Sequence, residues 1–177
     1  VDAYYEWEKE RSTAEADMIA FVTAISTYAK SRRPGFMVVP QNAEELLNHP
    51  NYRRQIDAIA KEDLLFGVGG QEVENPARDA ARSIQLLNKA RAENRPVFVV
   101  EYLADPEKRR RAQQRMAEQG FVLHFASRAL DQPPEILEPL PTRPVAAPPP
   151  PPVMLPNAPA PIIEQPKPAV PVPTPYQ

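Results

Sequence analysis

Cysteine is absent from the 177 residues, which removes disulfides, thiolate metal sites and a cysteine nucleophile together. Histidine is nearly absent. His49 and His124 stand 75 residues apart, without the close spacing of a metal-ligand pair. No run of about 18 apolar residues occurs, so no membrane span is expected. Charge of one sign is not in excess either, with 21 Lys and Arg against 23 Asp and Glu. The densest basic cluster, Lys108-Arg109-Arg110-Arg111 with Arg115, falls in a helical pattern and reads as a solvated face, so no nucleic-acid partner is expected. Glycine numbers five, and none of them builds a G-x-G-x-x-G, Walker or G-x-S-x-G sequence. Gly67-Val68-Gly69-Gly70 reads as a flexible loop, and no cofactor is expected.

Proline is what the chain has in plenty. Eighteen of its 24 prolines lie in residues 133–177, and six in residues 1–132. A segment two-fifths proline cannot supply helix or ladder donors. The expected organisation is therefore a folded body, 1–132, and a Pro-rich disordered tail, 133–177. The five consecutive prolines Pro148 to Pro152 favour a polyproline II rod rising about 3.1 Å per residue. Pro141-Thr142-Arg143-Pro144 has the P-x-x-P form, but such matches come freely in a proline-rich stretch, and a spacer is the favoured reading.

In the body, helical and strand patterns alternate. Ser12-Thr13-Ala14-Glu15 has the form of a capping box, and Met18, Phe21, Val22, Ile25 and Tyr28 recur at helical spacing up to Arg33, before Pro34-Gly35. Phe36-Met37-Val38-Val39 reads as a short buried strand, and Ile56 to Ala60 as a second. A helix follows Asn75-Pro76, with the stripe Ala77, Ala80, Ala81, Ile84 and Leu87. Residues 96–102 form the clearest strand. Asp105-Pro106 opens a charged helix ended by Gly120, and 121–125 is the last strand. Short apolar strands without alternation imply parallel strands covered by helices, hence βαβ units of an α/β fold.

In such folds functional groups gather past the C-terminal ends of strands. That places Asp2 and Tyr4, Gln41 and Asn42, Lys61, Glu62 and Asp63, Glu101 and Tyr102, and His124 with Ser127-Arg128 as candidates. Carboxylates surrounded by amides and tyrosines suit glycosidic bond cleavage, in which one carboxyl protonates the leaving oxygen and another meets the oxocarbenium-like carbon or activates water. Asn42 and Gln41 could bind sugar hydroxyls or cap the short helix at Ala43. Trp7 could stack on a pyranose or be buried, and His124 reads as packing.

Five stretches in order resemble glycoside hydrolase family 114, the endo-α-1,4-polygalactosaminidase type: Val1 to Tyr4, Ala16 to Val22, Val39 to Leu47, Ile59 to Leu64, and Pro96 to Tyr102. The resemblance covers about residues 1–130. It implies the C-terminal half of a (β/α)8 TIM barrel, strands five to eight, whose partner is the missing N-terminal half of the barrel. It also implies a polysaccharide substrate cleaved with Glu62 as acid/base, and Asp2, Tyr4, Gln41, Asn42, Lys61, Glu101 and Tyr102 as substrate contacts. The paired Asp belongs just before the Val1-Asp2-Ala3-Tyr4 stretch, so the chain alone is expected to be catalytically incomplete. Where many relatives carry Asp, this chain has Glu101. Partial burial at a barrel mouth is expected to raise the pKa of Glu62. A secreted, periplasmic or cell-surface location is expected. The alternative reading is a catalytically inactive carbohydrate-binding or cell-surface protein.

Overall fold

A computed structural model describes residues 1–132. The tail expected at 133–177 lies outside the described residues. In chain order the elements are α1 (Tyr4–Trp7), α2 (Ala14–Arg32), a 3₁₀ helix (Glu44–Asn48), α3 (Pro50–Arg53), β1 (Ile59–Glu62), α4 (Ala77–Ala92), β2 (Val97–Glu101), α5 (Pro106–Gln119) and β3 (Val122–Phe125). The three strands form one parallel sheet in the order β1-β2-β3. Its register places Glu62 opposite Val100, and Val100 opposite His124. The sheet and its helices thus repeat the βα unit that the sequence pattern predicts.

Two strands differ from expectation. The segment 36–39 forms no regular strand, and joins the sheet only through a parallel bridge from Gln41 to Ala60. The second strand begins at Ile59 rather than Ile56. Asp57 explains the delay: its carboxylate accepts the Val38 amide at 2.8 Å and pairs with Lys30 at 2.9 Å, so this stretch is tied by a side chain before the ladder starts. The capping box at Ser12 does not form. Thr13 is the N-cap of α2 and sends its hydroxyl to Asp17 at 3.1 Å.

The core lies between the sheet and its helices. Tyr52, Leu46, Leu47, Ile56, Ile59, Leu64, Leu65, Leu87 and Met116 are its largest buried apolar side chains. In α4 the buried face is Ala80, Leu86, Leu87 and Ala90, displaced toward the C-terminus from the stripe read in the sequence. Among the described residues no helix is long and apolar enough to cross a membrane.

The ends of α5 follow directly from local chemistry. Asp105 accepts the Lys108 amide at 2.9 Å, Pro106 fills the first turn where no donor is needed, and Gly120 takes the left-handed φ of 68° that closes the helix. Asp105→Ala is expected to destabilise the protein by the loss of this cap, read as a lower urea midpoint with an unchanged slope.

Candidate functional site

The C-terminal ends of the strands lie side by side, and their polar residues meet around Glu62. Its carboxylate accepts Asn42 Nδ2 at 3.0 Å on one oxygen and the Tyr102 hydroxyl at 2.8 Å on the other. Asn42 is tied back in turn, its Oδ1 accepting the Glu62 amide at 3.2 Å. The same Asn42 nitrogen donates to Asp2 at 3.1 Å, so two carboxylates share one amide. Asn42 thus sits between the acidic groups rather than capping the following helix, which has no side-chain cap.

These bonds reverse the expected proton affinity. The Tyr102 hydroxyl first, then Asn42 and Gln41, hold the Glu62 carboxyl below the usual glutamate range, against the opposing effect of burial and of Asp2. Neutral donors around an accessible carboxylate outweigh desolvation here, because Glu62 is only half-buried. Tyr102 responds in the opposite sense: burial, then the Glu62 carboxylate, push its phenol up to about 12.

Two cavities flank this carboxylate. The acidic one, about 460 Å³, is lined by Asp2, Glu44, Glu45, Glu62 and Asp63, with Lys61 as its only Lys or Arg. Lys61 pairs with Glu44 at 3.3 Å, and Ser83 donates to the other oxygen of that buried carboxylate. The Tyr5 hydroxyl donates to Glu45. The second cavity, about 550 Å³, lies toward β3 and includes Gln41, Tyr102, His124, Ser127 and Arg128. Among the described residues no three His, Asp or Glu are arranged to hold a metal.

The backbone is unusual at the same place. Asn42, Ala43, Asp63 and Glu72 adopt φ between 52° and 59° without being glycine. Asn42, Ala43 and Asp63 line the acidic cavity or flank Glu62, whereas Asn94 and Leu130, which share the conformation, lie after α4 and after β3.

The structure brings Asp2, Gln41, Asn42, Lys61, Glu62 and Tyr102 to the walls of these cavities. It places two expected contacts elsewhere. Tyr4 is 2% exposed and packs its ring on Tyr5 at 4.4 Å. Glu101 is 0% exposed, because strand alternation turns it inward with Val97 and Val99. One Glu101 oxygen accepts the Leu65 amide at 2.7 Å, which anchors the loop after β1; neither side chain presents a surface to a ligand. His124 lines a cavity rather than packing in the core. Trp7 is 53% exposed, with the Arg11 guanidinium 5.7 Å from its ring centre. Sequence reasoning missed Tyr5, Glu44 and Glu45 as wall residues. The stretch Ala43-Glu44-Glu45 was in view as a motif, but only the fold turns both carboxylates toward β1.

The sequence model of glycoside-hydrolase family GH114 matches residues 1–137. An uncharacterized protein of Deinococcus radiodurans is 32% identical over 135 residues, a match covering 75% of this chain and 42% of that protein. Among solved structures, the glycoside hydrolase domain of PelA from Pseudomonas aeruginosa superposes with a TM-score of 0.54 at 24% identity. That likeness, one of fold, covers 72% of this chain and 50% of that structure. The chain thus spans half or less of the length of both.

Proposed function

The chain belongs to glycoside-hydrolase family GH114, and from that premise we propose that it forms the C-terminal half of a (β/α)8 barrel that cleaves α-1,4-linked, galactosamine-type polysaccharide. Glu62 is the acid/base. Its partner is the Asp that the resemblance puts just before Val1-Asp2-Ala3-Tyr4, contributed with the remaining strands by the N-terminal half of the barrel. Asp2, Gln41, Asn42, Lys61 and Tyr102 surround the sugar. A polysaccharide substrate fits a secreted, periplasmic or cell-surface setting, with the Pro-rich tail as spacer.

One observation carries this reading: Glu62 stands at a cavity whose walls hold five carboxylates, and although Lys61 pairs with Glu44 and Arg128 with Asp63, Asp2 and Glu45 beside Glu62 keep the wall acidic. Such a wall attracts a cationic amino sugar more than a neutral one. The low proton affinity of Glu62 also has a place in it. An acid must hold a proton, and a second carboxylate brought close would raise this one by like-charge repulsion, as would exclusion of water by the sugar. The strand-four Asp supplies that carboxylate, so Glu62 becomes an acid only in the completed site.

The test compares the 177-residue chain with the same chain extended upstream to include the whole N-terminal half of the barrel and its Asp. Reducing ends are measured from a galactosamine polymer and from its fully N-acetylated form. The extended protein is expected to release ends from the cationic polymer, at rates that fall as salt rises. The shorter chain is expected to release none. Equal activity of the two would remove the upstream Asp from the mechanism, and inertness of both toward every polymer would favour the carbohydrate-binding alternative.

A further inference from the structure

The residues just past the three strands form a chain of contacts that ends on Glu62. Arg128, after β3, donates from Nη1 and Nη2 to the two Asp63 oxygens at 2.9 and 2.7 Å. Its guanidinium carbon lies 4.3 Å from the centre of the Tyr102 ring. The Tyr102 hydroxyl, at the far end of that ring, donates to Glu62. Asp63, after β1, holds its place with a left-handed φ of 52° and a hydrogen bond from its amide N–H to the Val100 carbonyl at 3.1 Å. Asn75 fixes the Asp63 carbonyl at 2.7 Å.

Gly67 seals the ion pair. Its φ of 113° disfavours any residue with a side chain, and a Cβ there would fall against the Asp63 carboxylate and 2.7 Å from Arg128 Nη2, so the pair would have to shift. Three segments distant in sequence therefore converge on one guanidinium.

A phenol swings about two torsions, and a cation stacked on its face restricts that swing. The guanidinium is suited to this, since its planar fork can be pinned by a carboxylate while its face covers a ring. We propose that Arg128, held by Asp63, is a positioning residue that fixes Tyr102 and through its hydroxyl sets the orientation and proton affinity of the Glu62 carboxyl. The proposal rests on Glu62 being the acid/base. It adds a role for two residues, Asp63 and Arg128, that need not touch substrate.

Other charged and titratable groups face Glu62 as well. Asp2 and Tyr5 approach from the first turn of the chain and Glu44 and Glu45 from the 3₁₀ helix, with Lys61 beside Glu62 on β1. His124 of β3 lines the neighbouring cavity. These groups are unchanged in the variants below, so a double-mutant cycle cancels them.

The experiment follows the Glu62 carboxyl directly, by carbon NMR titration of the full 177-residue chain. Tyr102→Phe is expected to raise the Glu62 midpoint, because a donor to the charged form is lost. Arg128→Met is expected to raise it too. In the Tyr102→Phe background, Arg128→Met is expected to add nothing. Arg128→Lys, which keeps the charge but not the fork or the stacked plane, is expected to behave like Met. An undiminished Arg128→Met effect in the Phe background would overturn the proposal, since Arg128 would then act as a bare charge. So would recovery of the normal midpoint by Lys, or no shift in Arg128→Met. In the extended, active protein Arg128→Met is expected to lower kcat roughly ten- to a hundredfold, with little change in KM. If no polymer is hydrolysed at all, the hydrolase reading fails while the titration still decides the positioning role.

Discussion

Glu62→Gln is expected to lower kcat on a galactosamine polymer by about 10²- to 10⁴-fold, the usual worth of general acid–base catalysis. The change leaves the shape of the site intact. The amide oxygen can still accept a hydrogen bond from Asn42 Nδ2, now at 3.0 Å, and the Tyr102 hydroxyl can turn to accept from the new amide nitrogen. What is lost is the proton that the carboxyl takes up and releases. KM is therefore expected to move much less than kcat, as it does when an interaction exists only in the transition state. The thermal midpoint should fall slightly, because the bonds that hold the Glu62 carboxyl low favour its charged form and a neutral amide forgoes that part of the folded-state stabilisation. Undiminished release of reducing ends by the extended Glu62→Gln protein would exclude Glu62 as acid/base. A loss of activity with an equal loss of thermal stability would mean that the substitution had damaged the fold instead.

The order of helices and strands is legible in the sequence because apolar runs begin or fill the strands and the long helices lie between capping or proline signals, even though α2 leaves Phe21, Ile25 and Tyr28 exposed. The boundaries are less so. Ile56 and Ala58 are buried, as their apolar character requires, yet they lie outside the ladder. Burial and pairing are separate facts, and only the first is written in composition. Phe36 and Met37 show the converse: an apolar pair that remains exposed among the described residues. At the site, the strand-end rule finds Glu62, Asn42 and Tyr102, because each stands two residues past the last residue of an apolar stretch, Ala60, Pro40 or Val100. It also selects Glu101, and there the period of the strand decides against it. Counting by two from Val97 passes through Val99 to Glu101 and predicts an inward side chain. The Arg128–Asp63 pair was beyond reach for a different reason: 65 residues separate its members, and no local pattern links them.

Glu101→Gln is expected to make the protein more stable above neutral pH and to flatten its stability between about pH 5 and pH 8. The cause is burial. Glu101 has no exposed surface, one of its oxygens has no hydrogen-bond partner among the described residues, and desolvation pushes its pKa up to about 7 against the opposing pull of the Leu65, Phe66 and Leu64 amides. Unfolded, the same carboxyl titrates near its ordinary value of 4.5. A carboxyl whose pKa is higher in the folded state binds its proton more tightly there. The stabilisation from that proton is fully present below pH 4.5, declines as the pH rises, and is gone above about 7. Over that window the loss is about 3 kcal/mol. Glu62, Asp57 and Asp105, whose carboxyls are held low, act in the opposite sense and at lower pH, where protonation removes their folded-state bonds. Gln imitates the protonated carboxyl: it keeps an oxygen for the Leu65 amide and carries no charge. Unfolding free energies from urea titrations at pH 5 and pH 8 measure the difference. The two proteins should be close at pH 5 and diverge at pH 8, with the Gln variant ahead. A parallel pH dependence in both would show that Glu101 is ionised throughout and that its carboxylate is held by the loop amides alone.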